Sequence, residues 1–294
     1  MRIVLATCER LPEPDPDELP LLDALRARRV EVCSLAWDDE RVQDDFAAAD
    51  LTLLRATWNY PEQPERFGAW VDAVSGRTRL WNPAEVVRWN MHKGYLLALG
   101  ARGVEHVPTE LVACGDAAPL REIRARRGFD AVVIKPAIGA GSLNTRRFAA
   151  GDPDGEAEAE AHLAALVAHG DALVQPYLAA VETRGERSLI WIDGELTHAM
   201  RKAPRFSGDA EHVERVHDVT AEERALALSA VAAVQRPLLY ARVDMVTGDD
   251  GKPLLMELEL IEPSLYFVQS AHALERFADA ALQRARQRTS ALQG

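Results

Sequence analysis

The sequence predicts a mixed α/β fold, in which an open N-terminal α/β domain is followed by α+β lobes. Three observations carry this. Apolar runs at residues 2–6, 30–35 and 50–54 alternate with helical apolar spacing at 19–28 and 62–75, the pattern of an open α/β sheet. The strand-like run at 131–135 leads into the small-residue segment Ala137-Ile138-Gly139-Ala140-Gly141-Ser142. Turns at Asp193-Gly194 and Gly248-Asp249-Asp250-Gly251 join further apolar runs, which read as two β-hairpins.

The elements follow in chain order. Residues 2–6 form the opening strand, and Thr7-Cys8-Glu9-Arg10 leaves its carboxyl end. Open α/β sheets bind ligands there, so Thr7 and Glu9 are candidate substrate contacts, with ordinary loop chemistry as the alternative. A Pro- and Asp-rich loop at 11–17 leads into the helix at 19–28. After the third strand stand Arg55-Ala56-Thr57-Trp58-Asn59-Tyr60-Pro61. Polar and aromatic side chains crowded at a strand end suit recognition of a small polar molecule. Arg55, Thr57, Trp58, Asn59 and Tyr60 are therefore substrate candidates, while Trp58 and Tyr60 equally suit lid or interface packing. Phe67, Trp70, Val71 and Val74 recur at helical spacing and belong to the core. Trp81-Asn82-Pro83 marks a break before a short helix at 85–90. Lys93 opens a helix through Leu99 that Gly100 stops, and a strand follows around 109–112.

The strand at 131–135 ends in Ile134-Lys135-Pro136. Small residues such as Gly139, Gly141 and Ser142 let backbone N–H groups approach an anion. The lysine precedes the glycines, so this is neither a Walker loop nor a dinucleotide fingerprint. Residues 139–145 form either a flap over phosphates with Lys135 behind it or a plain glycine-rich hairpin. An acidic, Ala-rich stretch at 151–161 opens a helix with a solvated face. Next come a strand at 172–175, two strands at 185–192 and 195–200, and helices at 220–234 and 270–287.

The last hairpin carries the strongest chemical signal. Asp244 lies in its first strand and Glu257 and Glu259 in its second. Residues two apart on a strand share a face, so the three carboxylates gather on one side. Among Met, Leu and Val such a cluster is costly unless compensated. A hard divalent cation compensates it, and Mg²⁺ binds through few carboxylates plus substrate phosphates. The alternative is a solvated acidic face. Arg242, two residues before Asp244, points the same way, where a salt bridge to Glu257 or Glu259 is the plain reading.

Composition narrows the class. The formal net charge of −12 disfavours a nucleic-acid partner. No apolar run approaches the ~20 residues a membrane helix needs, so no membrane association is expected. The N-terminal segment lacks a signal-peptide core, and Cys8, Cys33 and Cys114 form neither a zinc pattern nor a disulfide set. A cytoplasmic monomer or homodimer is expected.

Lys93, then Lys135 with its glycine-rich loop, then Gln175-Pro176-Tyr177-Leu178, and finally Asp244, Glu257 and Glu259 stand in an order that resembles the ATP-grasp superfamily over roughly residues 90–267. The strings Arg55 to Tyr60, Asn82-Pro83, Asn90 to Lys93, His198-Ala199 with Lys202 and Pro204, and Glu257 to Tyr266 are similar to its glutathione-synthetase-like group. Within that group they resemble the cyclo-ligases of cycloserine biosynthesis, which close O-ureido-serine into an isoxazolidinone ring.

The resemblance implies an ATP-grasp fold in three parts. Residues 1–85 are the preceding α/β domain, 86–175 the central lobe with the phosphate loop, and 176–294 the C-terminal lobe with the metal carboxylates. It implies that Lys93 and Lys135 touch ATP phosphates and that Gly139, Gly141 and Ser142 close over the γ-phosphate. Gln175, Tyr177 and Leu178 would be the hinge that meets adenine. Glu182, or else Glu186, would take the ribose hydroxyls. Asp244, Glu257 and Glu259 would hold Mg²⁺, two ions being expected and Mn²⁺ an acceptable substitute. The family often has Asn where Glu259 stands, which makes this site more anionic. Glu262 is an extra ligand or a surface acid. Lys202 would face the phosphates or the substrate carboxylate, Arg242 would steady the developing oxyanion and the γ-phosphate, and Ser264 joins the substrate wall.

Such a site activates a small amino-acid-like carboxylate as an acyl phosphate, which an amine then attacks. It works by positioning and charge neutralisation, without a covalent nucleophile. Ring closure is the first expectation and intermolecular ligation the second. Two rival classes are an ATP-binding regulator without turnover and a sugar- or peptide-binding module using Trp58 and Tyr60. Cys8 has no histidine partner in the sequence pattern and reads as a buried thiol.

Overall fold

The structure, a computed structural model, describes residues 1–116, 119–151, 153–202 and 213–287. The Ala203-Pro204 part of the motif at Lys202 lies outside the described residues. Among the described residues the strands form three sheets.

The first unit runs β1 (Arg2–Thr7), α1 (Glu18–Ala27), β2 (Glu31–Ala36), α2 (Gln43–Ala47), β3 (Leu51–Ala56), α3 (Pro64–Ser75) and β4 (Arg79–Trp81). Its strands are parallel in the order β2-β1-β3-β4. β3 is buried along its whole length and pairs with β1 as far as Ala56, so Arg55 lies inside the strand and not after it. β4 falls where only a break was expected. At three residues it is too short to show alternation, and its pairing with β3 creates it.

Two short helices follow, α4 (Ala84–Met91) and α5 (Tyr95–Gly100). Lys93 does not open a helix: its N–H donates to the Ala137 carbonyl at 2.7 Å, and the helix starts two residues later. The second sheet uses β5 (Glu110–Val112), β6 (Val132–Pro136), β7 (Arg146–Phe148) and β8 (Ala172–Pro176), antiparallel in the order β5-β8-β6-β7. α6 (Leu120–Arg127) and α7 (Pro153–Val167) back it. α6 escaped the sequence reading because its four arginines mask a narrow apolar edge of Leu120 and Ile123.

After α8 (Ala180–Arg184), the third sheet uses β9 (Glu186–Ile192), β10 (Glu195–Lys202), β11 (Val213–Val216), β12 (Tyr240–Thr247) and β13 (Pro253–Glu259). The order is β11-β10-β9-β12-β13, all antiparallel. α9 (Ala221–Ala233) packs against β12 and β13, and starts with a full capping box between Thr220 and Glu223. α10 (Ala271–Arg286) returns to the first unit, where Phe277 and Ala281 join Ile3, Leu25 and Leu51 in one core. No helix of the described residues is long and apolar enough to cross a membrane.

Candidate active site

Strand register assembles the site. On the third sheet Lys202 lies opposite Glu186, Asp244 opposite Glu257, and Arg242 opposite Glu259. Period-two alternation keeps these side chains on one face. Gly185, at φ +70°, makes the corner possible, since a Cβ there would sit 2.6 Å from the Lys202 carbonyl.

The expected phosphate cations and the expected metal acids are paired with one another. Lys93 Nζ lies 2.6 Å from Glu257 Oε1 and donates to the Gly139 carbonyl at 2.7 Å. Lys202 bridges Glu186 and Asp244, the latter at 2.9 Å. Arg242 grips Asp244 through Nε and Nη2 and also meets Glu259. Lys135, 8% exposed, has no ionic partner among the described residues.

The electrostatics follow from burial against pairing. Burial opposes ionisation of Asp244 and Glu257, but Arg242 and Lys202 hold the first below the usual carboxylate range and Lys93 and Lys135 the second. Burial wins at Glu259, which is pushed up to about 7 despite Arg242. It wins again at Glu262, pushed up to about 8 with help from the Glu259 charge. Glu262 is thus a buried acid, which removes the surface-acid alternative of its two readings. Burial and the Arg242 charge press on Lys202, and Asp244 and Glu186 outweigh them, so its pKa is raised. Lys135 is lowered, burial being the largest cause.

The donor set suits a hard cation, being oxygen-only on one face. Among the described residues no three such side chains converge closely enough to hold an ion as they stand, because each faces a cation. Metal binding therefore requires an exchange of partners.

The glycine-rich segment joins β6 to β7, which pair antiparallel as the hairpin reading expects. Gly141, Ser142 and Asn144 have φ of +59°, +59° and +57°. At the hinge the Tyr177 N–H donates to Ala131 O, and Gln175 Nε2 donates to Thr109 Oγ1 at 2.9 Å. Leu178 accepts from the Val181 N–H. The two ribose candidates separate. Glu182 accepts from the Tyr177 hydroxyl and from Arg147, both at 2.6 Å, while Glu186 lies at Lys202.

The substrate candidates divide too. Trp58 Nε1 donates to the Glu262 carbonyl at 3.1 Å, and the Thr57 hydroxyl is buried without a partner among the described residues. The Ser264 carbonyl accepts from Arg242 Nη1. Asn59 is spent on Trp37 and Asp38, and Tyr60 stacks on Phe67 in the core. Thr7 donates to the Ala56 carbonyl, and Glu9 pairs with Arg41 at the surface. Arg55 is buried against Asp17 and the Pro263 carbonyl. Cys8 is a buried thiol whose Sγ donates to the Arg10 carbonyl, and burial pushes its pKa up.

Sequence reasoning missed several residues. Asn82 is fully buried, donates to Tyr240 O and Leu260 O, and accepts from the Leu239 N–H, all within 2.9 Å. Asn90 does the same for Leu258 and Leu260. Both stood in the quoted strings, but nothing local distinguishes a strand brace from a loop residue. Asp17, in the Pro- and Asp-rich loop, gave only a helix-capping signal, and its side chain makes no capping bond to α1.

Comparison with known proteins agrees with this geometry. Residues 3–82 match the family model described as D-cycloserine synthetase DcsG, N-terminal domain. The cycloserine biosynthesis protein DcsG of Streptomyces lavendulae is 36% identical over 290 residues, covering 92% of this chain and 94% of that protein. The crystal structure of D-cycloserine synthetase DcsG superposes with a TM-score of 0.88 at 33% identity, covering 97% of this chain and all of that one. The D-alanine–D-alanine ligase of Bacillus anthracis has a TM-score of 0.70 at 16% identity, with 97% of each chain covered, a likeness of fold alone.

Proposed function

Because the chain belongs to the DcsG family, ATP-dependent ligases of the ATP-grasp fold, we propose that it activates a small amino-acid-like carboxylate as an acyl phosphate and closes it into a ring, with O-ureido-D-serine as the substrate class. The observation that carries this is the meeting of Lys93, Lys135, Lys202 and Arg242 with Asp244, Glu257 and Glu259, acids that share one half-buried sheet face.

The substrate carboxylate attacks the γ-phosphorus and ADP leaves. A nitrogen of the same molecule then attacks the acyl carbon and phosphate departs. Lys93 and Lys135 hold the phosphates, with Gly139, Gly141 and Ser142 above them. Gln175, Tyr177 and Leu178 meet adenine through their backbone, and Glu182 the ribose, with Glu186 as the second candidate. Asp244, Glu257 and Glu259 would hold Mg²⁺, which when bound offsets charge on the β- and γ-phosphates. Arg242 and Lys202 stabilise the charge that develops on the transferring phosphoryl group. Thr57, Trp58 and Ser264 are the substrate contacts best supported, because the Thr57 hydroxyl lacks a partner among the described residues and the other two adjoin Glu262 and Arg242.

The test is mass spectrometry of products from ATP, Mg²⁺ and a panel of amino acids that includes O-ureido-D-serine. Phosphate release with a cyclised product is expected. A joined product of two amino acids would identify an intermolecular ligase. ATP binding with no phosphate release under any substrate would leave only the regulator reading.

A further inference from the structure

Asp17 occupies the position just before α1, yet its carboxylate makes no capping bond to that helix. It crosses to the C-terminal part of the chain. Asp17 Oδ2 accepts from the Leu265 N–H at 2.5 Å and the Tyr266 N–H at 3.1 Å, and Oδ1 accepts from the Phe267 N–H at 2.7 Å. Three successive N–H groups converging on one anion form a nest. The turn bends through Tyr266, whose φ of +53° is a left-handed conformation disfavoured for a bulky side chain. Arg55 closes the arrangement from β3. Its Nη2 lies 3.5 Å from Asp17 Oδ2 and donates to the Pro263 carbonyl at 3.0 Å. Its guanidinium sits among the rings of Tyr240, Phe267 and Phe277, each within 5.8 Å. Asp17 is fully buried and Arg55 is 3% exposed.

The turn so held touches Arg242. The Ser264 carbonyl accepts from Arg242 Nη1 at 3.4 Å, and the Tyr266 ring lies 5.9 Å from the Arg242 guanidinium carbon. We propose that Asp17 and Arg55 are positioning residues, which fix the 263–267 turn from the N-terminal domain and through it aim Arg242 and Ser264 at the reacting groups. This rests on the ligase reading above. It assigns Arg55 a role through the turn and not by contact with substrate.

Asp17→Asn keeps the size but turns an amide NH₂ toward at least one of the three backbone N–H donors, so the turn cannot keep its shape. A displacement of about 1 Å at a reacting group is enough to lower kcat about 100-fold. Expected for Asp17→Asn is that loss in kcat, with affinity for a non-hydrolysable ATP analogue plus Mg²⁺ unchanged by calorimetric titration. Arg55→Lys keeps the charge but loses the fork, and the same split in smaller degree is expected. It also serves where Asp17→Asn fails to fold. Folded variants with wild-type kcat overturn the proposal. So do variants that lose nucleotide affinity in step with kcat, since that is general loosening. If wild-type protein itself turns over no substrate, the ligase reading fails, and that outcome is distinct from active wild type with unaffected variants.

Discussion

Lys135 differs from the other cations of the site in having no ionic partner among the described residues, although it is buried. A desolvated ammonium is a cost to the fold, and under the proposed function the ATP phosphates are the charge that offsets it. Lys135→Ala is therefore expected to leave the urea midpoint equal or higher while ATP turnover falls about 100-fold or more. His198 is a contrasting case. It is buried, its Nδ1 lies 2.9 Å from the Thr197 hydroxyl, and burial with the nearby Arg215 charge pushes its pKa down from 6.5 to about 4. The folded protein holds it neutral, whereas the unfolded chain takes up a proton below 6.5. Its contribution is thus fully present above pH 6.5 and is lost as pH falls toward 4. At ~1.4 kcal/mol per unit the whole effect is roughly 3 kcal/mol. Urea denaturation across that range should slope less in His198→Gln than in wild type, and parallel slopes would refute the assignment.

At the scale of elements, β12 and β13 carry the proposed metal acids and Arg242 but are held in place from outside. Asn82 satisfies one N–H and two carbonyls of the segments at 239–240 and 260, and the Tyr240 hydroxyl donates to Ile261 O at 2.7 Å. Asn82→Ala strands three buried backbone groups, each worth about 1–3 kcal/mol if unsatisfied. A loss of about 3 kcal/mol or more is expected in equilibrium unfolding. A loss within error of zero would mean that water replaces the side chain. The hairpin itself was legible, because its alternation and its Gly-Asp turn are local signals. β4 and β11 were not. Each spans three or four residues and exists only because a neighbour offers a ladder.

Across the whole molecule, the charge cluster is built from the second and third sheets and from the segment before α5. Lys93 reaches Glu257 from one side, Lys135 comes from the second sheet, and the acids stand on the third. In this arrangement the proposed metal acids are paired with Lys93, Lys202 and Arg242, so under the proposed function ATP and metal would each take over a partner of the other. Glu257→Gln removes one acid and frees Lys93. Turnover should be lost, while metal-free affinity for ATP should rise about tenfold, as expected for removing one like charge near the phosphates. Isothermal titration in a chelator measures this directly, and weaker metal-free binding than wild type would contradict the exchange.

The sequence by itself determined the inventory and its order: the lysines at 93 and 135, the glycine-rich loop between them and the hinge, and acids two apart on a strand. These are readable because residue type and strand period are local properties of the chain. Only the tertiary structure decided who pairs with whom. That Arg55 is enclosed with Asp17, that Asn59 serves Trp37, and that Glu186 parts from Glu182 depend on contacts between segments far apart in the chain. Register and burial fix such contacts, and neither leaves a mark on the residues nearby in sequence.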